Sequence, residues 1–430
     1  MHMSRYLNGA LAIALVMPIS LQAAEWSVEP KISLRAGRDD NIRLTTQPHS
    51  PVWESTLSPS VKFAVAQENQ GLSADAGLKI RRFTGGTGRE RSELLDREDY
   101  YLNSDVFHQT LRDVFRANLD YTQDSTLDTQ LDETGNVSAR ATRERLALGP
   151  SWSRTLTERA RMDLTYQYSN VGYSDDAGAN LVGYDYHVAS GTLVRQFTPR
   201  IQGSVVAAYS SYLPDTLLGL NSDTVSLQAG VTANISETLV ASALLGQRST
   251  TSDRLISTGF CIGADPGATY PSCTGGIPIP TGAAKGTLDT TSPVYSASLT
   301  KTLETGSLSA SLSRSSSPSS DGELLDVTRL ALAGTYKLSE MLSSSLRVEY
   351  TENETIVNRL GSAPTQGKET FFRVTPRAAW RWNREWELAG EYQYARNEDP
   401  RIRGSAGDTA TRNAFYVTLY YRPVKTSVSR

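Results

Sequence analysis

The stretch from Ala414 to Tyr421, A-F-Y-V-T-L-Y-Y, constrains this chain more than any other. Phe415, Val417, Leu419 and Tyr421 share one face. Tyr416, Thr418 and Tyr420 share the other, with Arg422 next in line. A period of two makes this a β-strand, because successive side chains on a pleated backbone point to opposite sides. One face is wholly apolar with an aromatic at each end, the pattern of a strand facing lipid between two interfacial belts. On this stretch alone, an amphipathic strand of a soluble β-protein fits equally well. A strand near a C-terminus has an open edge, however, and an edge in a membrane leaves N–H and C=O groups unsatisfied. Its natural partner is the first strand of the mature chain, and that pairing closes a barrel.

The start of the chain reads as a secretory signal. Arg5 precedes the apolar run Leu11-Ala12-Ile13-Ala14-Leu15-Val16, and Gln22-Ala23-Ala24 supplies small residues for cleavage, so residues 1–23 are expected to be removed. No later apolar run is long enough for a membrane helix. With 39% hydrophobic residues over 430 positions, several soluble cores would be hard to fill. A large barrel escapes this demand, since its interior can be polar and wet. The 20 tyrosines and 6 tryptophans suit a membrane–water interface. A net charge of −3 gives no bulk argument for nucleic acid as a partner. Cys261 and Cys273 lie close together in a Gly/Pro-rich stretch, which in an exported protein reads as a local disulfide.

From Trp26 onward one unit repeats: a strand of roughly ten residues, a long polar loop, a second strand, then a turn of roughly three to five residues. Leu72, Ala74, Ala76, Leu78 and Ile80 align after one such turn, and Phe115, Ala117, Leu119 and Tyr121 after the next. The count is eighteen strands, with about sixteen to twenty compatible because the strands at Tyr184 and Val294 alternate poorly. Short turns on the side of the termini and long loops on the other are the asymmetry of a bacterial outer-membrane barrel. The expected fold is all-β: a transmembrane antiparallel up-and-down β-barrel over residues 24–423, with residues 424–430 as a periplasmic extension. The turns share a chemistry. Leu156-Thr157-Glu158-Arg159, Phe197-Thr198-Pro199-Arg200, Ile235-Ser236-Glu237-Thr238 and Leu338-Ser339-Glu340-Met341 each run apolar, hydroxyl, then Glu or Pro. A β-helix would show a short fixed repeat and β-sandwiches would need linkers, and neither is visible.

If the apolar faces look at lipid, the alternate residues line a basic lumen. Lys79, Arg81, Arg116, Arg145, Arg161, Lys337, Arg347, Arg373, Arg377 and Arg381 carry it, against fewer acids such as Asp75, Asp163, Glu349, Glu387 and Glu391. Such a lumen concentrates anions and depletes cations. Arg373, Arg377 and Arg381 climb one strand as a ladder, and guanidinium forks fit carboxylate or sulfate. Pairing of the same arginines with Glu349, Glu387 and Glu391 would merely brace the wall, and both readings stand. The longest loop, Arg248 to Thr291, holds the two cysteines. It is expected to enter the lumen as a constriction, to cover the mouth as a lid, or to stay on the surface. Asp39-Asp40-Asn41 offers hard oxygen donors without the spacing of a calcium loop, so no metal is assigned. There is no HExxH and no nucleophile elbow. Asp185 and His187 read most simply as strand-facing residues, so neither an enzyme nor a cofactor is expected.

The first strand followed by Gly37-Arg38-Asp39-Asp40-Asn41-Ile42, the Ser58-Pro59-Ser60 opening of the second strand, and the repeated Leu-Thr/Ser-Glu/Pro turns resemble a family. It is the group of outer-membrane β-barrel proteins encoded in exopolysaccharide gene clusters, including those linked to exosortase systems. The likeness covers the whole chain in architecture. It implies an outer-membrane route for polysaccharide, in a Gram-negative outer membrane of lipid and lipopolysaccharide. Its implied partners are the barrel-assembly machinery and a periplasmic polysaccharide-export protein. One departure is plain: outer-membrane barrels usually end on an aromatic, whereas Pro423 to Arg430 follows Tyr421 here. Three functions are carried forward. They are a pore exporting an acidic exopolysaccharide, an anion-selective diffusion porin or substrate-specific channel, and a structural or adhesive barrel with a plugged lumen.

Overall fold

The computed structural model describes residues 25–46, 49–133, 140–174, 181–215, 221–262, 277–357, 368–399 and 409–429. The expected signal segment, residues 1–23, and the expected Cys261–Cys273 disulfide fall outside them, since neither Cys273 nor the Cys261 side chain is described. The wall begins with β1 (Glu25–Asp39), β2 (Val52–Ala66), β3 (Gln70–Gly85), β4 (Arg97–Gln109), β5 (Asp113–Ser125) and β6 (Thr142–Thr157). It continues with β7 (Ala160–Ser174), β8 (Tyr184–Thr198), β9 (Ile201–Pro214), β10 (Ser222–Ser236), β11 (Leu239–Ile262) and β12 (Ile277–Leu303). The last wall strands are β13 (Gly306–Pro318), β14 (Leu324–Lys337), β15 (Leu342–Val357), β16 (Glu369–Arg381), β17 (Trp386–Glu398) and β18 (Thr409–Tyr421). Each pairs with the next. β18 returns to β1 with Tyr421 opposite Ile32 and Ala414 opposite Asp39, so the eighteen strands close on themselves. Closure removes every edge from the bilayer, as the hydrogen-bonding demand of a membrane requires.

The two faces separate as the period of two dictates. Phe415 and Val417 are exposed on the outside, while Tyr416 between them is 2% exposed inside. Outward Leu34, Val205, Leu227, Leu245 and Leu332 are likewise exposed, a lipid-facing band. Trp380, Trp382, Trp386 and Tyr421 stack as a belt at the short-turn end, with Trp382 and Trp386 centroids 6.2 Å apart. This is the wall of an outer-membrane barrel.

The repeated turn chemistry has a direct cause. The hydroxyls of Thr198 and Ser339 accept backbone N–H groups two and three residues on, and Thr157 and Ser236 accept the N–H two residues on. The side chain thus replaces a backbone acceptor in the tight turn. The apolar residue in front (Leu156, Phe197, Ile235 or Leu338) stays exposed on the outside at the membrane edge.

Two expectations change. Residues Arg248 to Thr291 are not simply a loop: β11 and β12 run on as an antiparallel ribbon, with Ile262 still opposite Ile277. β10 ends at Ser222 opposite Ser252, so the upper ribbon stands clear of the wall. Its Gly/Pro-rich stretch suggested a loop, yet the Thr, Leu and Ile residues of β11 and β12 carry good strand propensity. The C-terminal extension does not hang free either. After Pro423 the chain re-forms β19 (Thr426–Ser429) against Glu25–Val28, covering the part of β1 that extends below β18.

At the closing seam Gly37 leaves room for Tyr416. A Cβ there would stand 2.2 Å from the Tyr416 ring and 2.5 Å from the Phe415 carbonyl oxygen. Gly37→Ala is expected to cost about 1–3 kcal/mol, read as a lower midpoint for loss of the heat-modifiable folded band on a gel.

Candidate functional site

The candidate site is the lumen, and several of the protein's own loops cross its outer end. After Asp39 the chain turns inward. The Asn41 amide donates to the carbonyls of Thr45 at 3.0 Å and Thr411 at 2.9 Å, and its Oδ1 accepts the Thr45 N–H at 3.0 Å. This staple presses Ile42 and Leu44 into the barrel, Leu44 with a φ of 48°. Leu95 from α1 (Ser92–Leu95) and Leu127 from α2 (Thr126–Glu133) join them. All four pack on inward Val52, Phe83, Phe371, Ala395 and Ala410. From the opposite side the β13–β14 tip crosses the mouth. Its Ser320 carbonyl accepts the Val182 N–H at 2.9 Å, and its hydroxyl accepts the Gln130 amide of α2 at 2.7 Å. Leu324 behind it packs on Val171, Tyr184 and Tyr212 of β7, β8 and β9.

Charge pins this closure. Asp128 of α2 accepts Arg97 at 2.8 Å and Arg81 at 2.9 Å. Burial alone would raise the Asp128 pKa. The Arg97 and Arg81 guanidiniums outweigh it and hold the carboxyl well below the usual carboxylate range. At the seam, Asp39 accepts Arg412 at 2.5 Å, with Asp39 1% exposed. The calcium candidates are thereby used up: Asp39 by Arg412 and Tyr416, Asp40 by the Asn413 backbone and amide, and Asn41 by its staple.

Below the mouth the lining is unequal. The strands from β14 through β18 and from β1 to β7 carry the charges. β8 to β13 show Ser, Thr, Gln, Asn, Gly and apolar groups, with Arg248 the sole inward charge among the described residues. Every second residue of β13 from Ser307 to Ser317 is an inward serine. Arg248 itself meets the buried Asp326 at 2.6 Å, and Arg314 of β13 reaches the same carboxylate oxygen at 2.8 Å, so the charges of this arc are confined to one cluster near its outer end.

All ten basic residues expected in the lumen lie on the inner face. The arginine ladder is braced: Arg373 donates to Glu349 at 2.5 Å, and Arg377 and Arg381 to Glu387 at 3.2 and 3.1 Å. Arg161 pairs with Asp163 and Arg81 with Asp99. Arg347 is 63% exposed and 3.8 Å from Glu349. Lys79 approaches the Tyr101 ring. Arg116, Arg145 and Lys337 form no salt bridge among the described residues. His187 and Asp185 face outward, where Tyr166 bonds His187 at 2.8 Å and Tyr168 donates to Asp185 at 2.7 Å. The apolar plug went unread in the sequence. Its signal was the isolated Ile42, Leu44, Leu95 and Leu127 inside otherwise polar loops.

No family model matches the chain, and no curated protein matches it. Solved structures match it as whole barrels. The copper transporter OprC aligns at 9% identity and a TM-score of 0.45, over 92% of this chain and 81% of that one. Acinetobacter baumannii OccAB4 aligns at 10% and 0.44, over 96% and 100%. Pseudomonas aeruginosa OpdK, solved with vanillate, aligns at 9% and 0.43, over 94% and 99%. At these scores the likeness stops at outline, and the cargo must be read from the lining.

Proposed function

We propose that the chain is a gated outer-membrane channel selective for anionic cargo. The observation that carries this reading is the unequal lining. A charged arc in which bases outnumber acids faces an uncharged, hydroxyl-rich arc, so an anion is attracted to one wall and hydrogen-bonded by the other. Inward charges retain strength in a lumen narrower and less polarisable than bulk water. Export of an acidic exopolysaccharide is the second reading. It is favoured by the outer mouth being shut from within while the short-turn end keeps a dense cationic face, and by the sequence resemblance.

Single-channel recording in planar bilayers tests the channel. The wild type and Asp128→Asn are expected to pass anions in preference to cations. Changing Arg373, Arg377 and Arg381 together to Gln is expected to lower that preference several-fold. A cation-selective wild type would sink the proposal. If neither protein conducts, the barrel is a plugged structural or adhesive one.

A further inference from the structure

We infer that the short-turn, periplasmic end of the lumen holds a binding site for a multivalent oxyanion, built from Lys31, Arg377, Arg381 and Arg422 around Tyr420 and Glu387. It rests on the channel reading above and adds where cargo is gripped and from which side it loads.

The argument is one of charge stoichiometry. Elsewhere on the inner wall several bases have a carboxylate partner, while Arg116, Arg145 and Lys337 form no salt bridge among the described residues. Arg373 has Glu349, Arg35 has Glu391 at 3.6 Å, Arg161 has Asp163, and Arg81 with Arg97 share Asp99 and Asp128. At the periplasmic end one carboxylate serves three guanidiniums. Glu387 accepts Arg377 at 3.2 Å, Arg381 at 3.1 Å and Arg422 at 3.2 Å. Lys31 stands 5.0 Å from the Tyr420 ring centroid, with the Arg422 and Arg377 guanidinium carbons at 5.5 and 5.9 Å from the same ring. Two neighbouring acids of this end are engaged: Glu29 by Lys425 at 3.1 Å, and Asp75 by the Tyr101 hydroxyl at 3.2 Å.

The exposures show which way the site faces. Glu387 keeps 8% of its side chain exposed, against 33%, 55% and 39% for Arg377, Arg381 and Arg422. The acid lies behind and the cations in front, with N–H donors left over toward lumen water. Two guanidinium forks and an ammonium across one ring suit adjacent phosphate or carboxylate groups better than a single monovalent ion. The depth is set independently. Trp380, Trp382, Trp386 and Tyr421 form the aromatic belt on the outer side of this same wall, and Arg422 donates its N–H to Glu385 in the last short turn. The ligand class is a carboxylated or phosphorylated oligomer presented from the periplasm.

Titration calorimetry of the full-length protein in detergent, with tripolyphosphate and with an oligoglucuronate as probes, tests the site. One site per chain is expected, weakened tenfold or more by Arg381→Gln with Arg422→Gln. Arg116→Gln, which removes a lumen charge outside the cluster, is expected to weaken it less than twofold. Arg381→Lys with Arg422→Lys keeps the charge and is expected to retain most of the affinity, which guards against a Gln variant that fails to fold. Equal losses in the Arg381/Arg422 and Arg116 variants would reduce the site to bulk lumen potential and overturn it, as would absence of binding to the wild type. Binding of tripolyphosphate but not oligoglucuronate would overturn the oligomer as ligand. Ion selectivity of the same preparations reads the channel proposal separately, since a selective channel that binds neither probe sinks the site alone.

Discussion

Asp128→Asn opens the outer mouth. In the wild type, α2 is held by one carboxylate between Arg81 and Arg97, whose side chains are 14% and 5% exposed. The amide keeps the shape and removes the charge, leaving two guanidiniums facing each other near the apolar plug. Asp128 is 38% exposed, so the loss falls between the values for surface and buried pairs, about 1–3 kcal/mol. That corresponds to about a five- to hundredfold shift in the ratio of closed to open mouths. Open probability in planar bilayers and uptake of a bulky antibiotic by expressing cells both read it. An unchanged closed fraction in a folded variant would show that the apolar plug holds without the latch. The pH dependence has a definite sign. The folded-state pKa of Asp128 is lowered by its two arginines. Its contribution to closure is therefore complete above the ordinary carboxylate range and is lost only as pH falls through the lowered value. Mild acid is expected to leave the wild type shut, while Asp128→Asn has lost this contribution at every pH.

Asp39→Ala is expected to be the most destabilising single change at the seam. One oxygen of Asp39 accepts Arg412 and the Tyr416 hydroxyl, and the other accepts the Asn41 N–H at 3.0 Å. Removing the carboxylate strands a buried guanidinium and unties the turn that carries Ile42 and Leu44. Breaking one partner of a buried pair costs about 3–5 kcal/mol. The thermal midpoint for loss of the compact gel band is expected to fall accordingly. Asp39→Ala with Arg412→Leu is expected to recover much of the loss, because no unpaired charge then remains. A double variant no more stable than Asp39→Ala would mean the pair acts through packing alone.

Much of this protein was legible in its sequence. The period of two in Ala414–Tyr421 named the lipid face before any pairing was known, and Phe415 and Val417 do stand outside while Tyr416 stands in. The hydroxyl in four of the short turns, the eighteen strands and the β18–β1 closure followed for the same reason. Strand period, turn chemistry and nearest-neighbour pairing are local properties, written in consecutive residues. The inward face of the ten lumen bases was readable on the same grounds.

What needed the tertiary structure is whatever meets across the lumen. Arg81 finds Asp128 from a different loop, Leu324 finds Tyr212 with four strands between them in the wall, and Arg422 shares Glu387 with Arg377 and Arg381. No spacing in the chain encodes those distances, because they depend on how wide the closed wall is and which loops turn into it. For that reason composition left the Arg248–Thr291 stretch open as constriction, lid or surface loop, while four isolated apolar residues in other loops pack together at the mouth. Alternation alone determined that the lumen would be basic. Only the closed barrel decided which bases would share a carboxylate, and that Arg377, Arg381 and Arg422 would meet on Glu387 at the short-turn end.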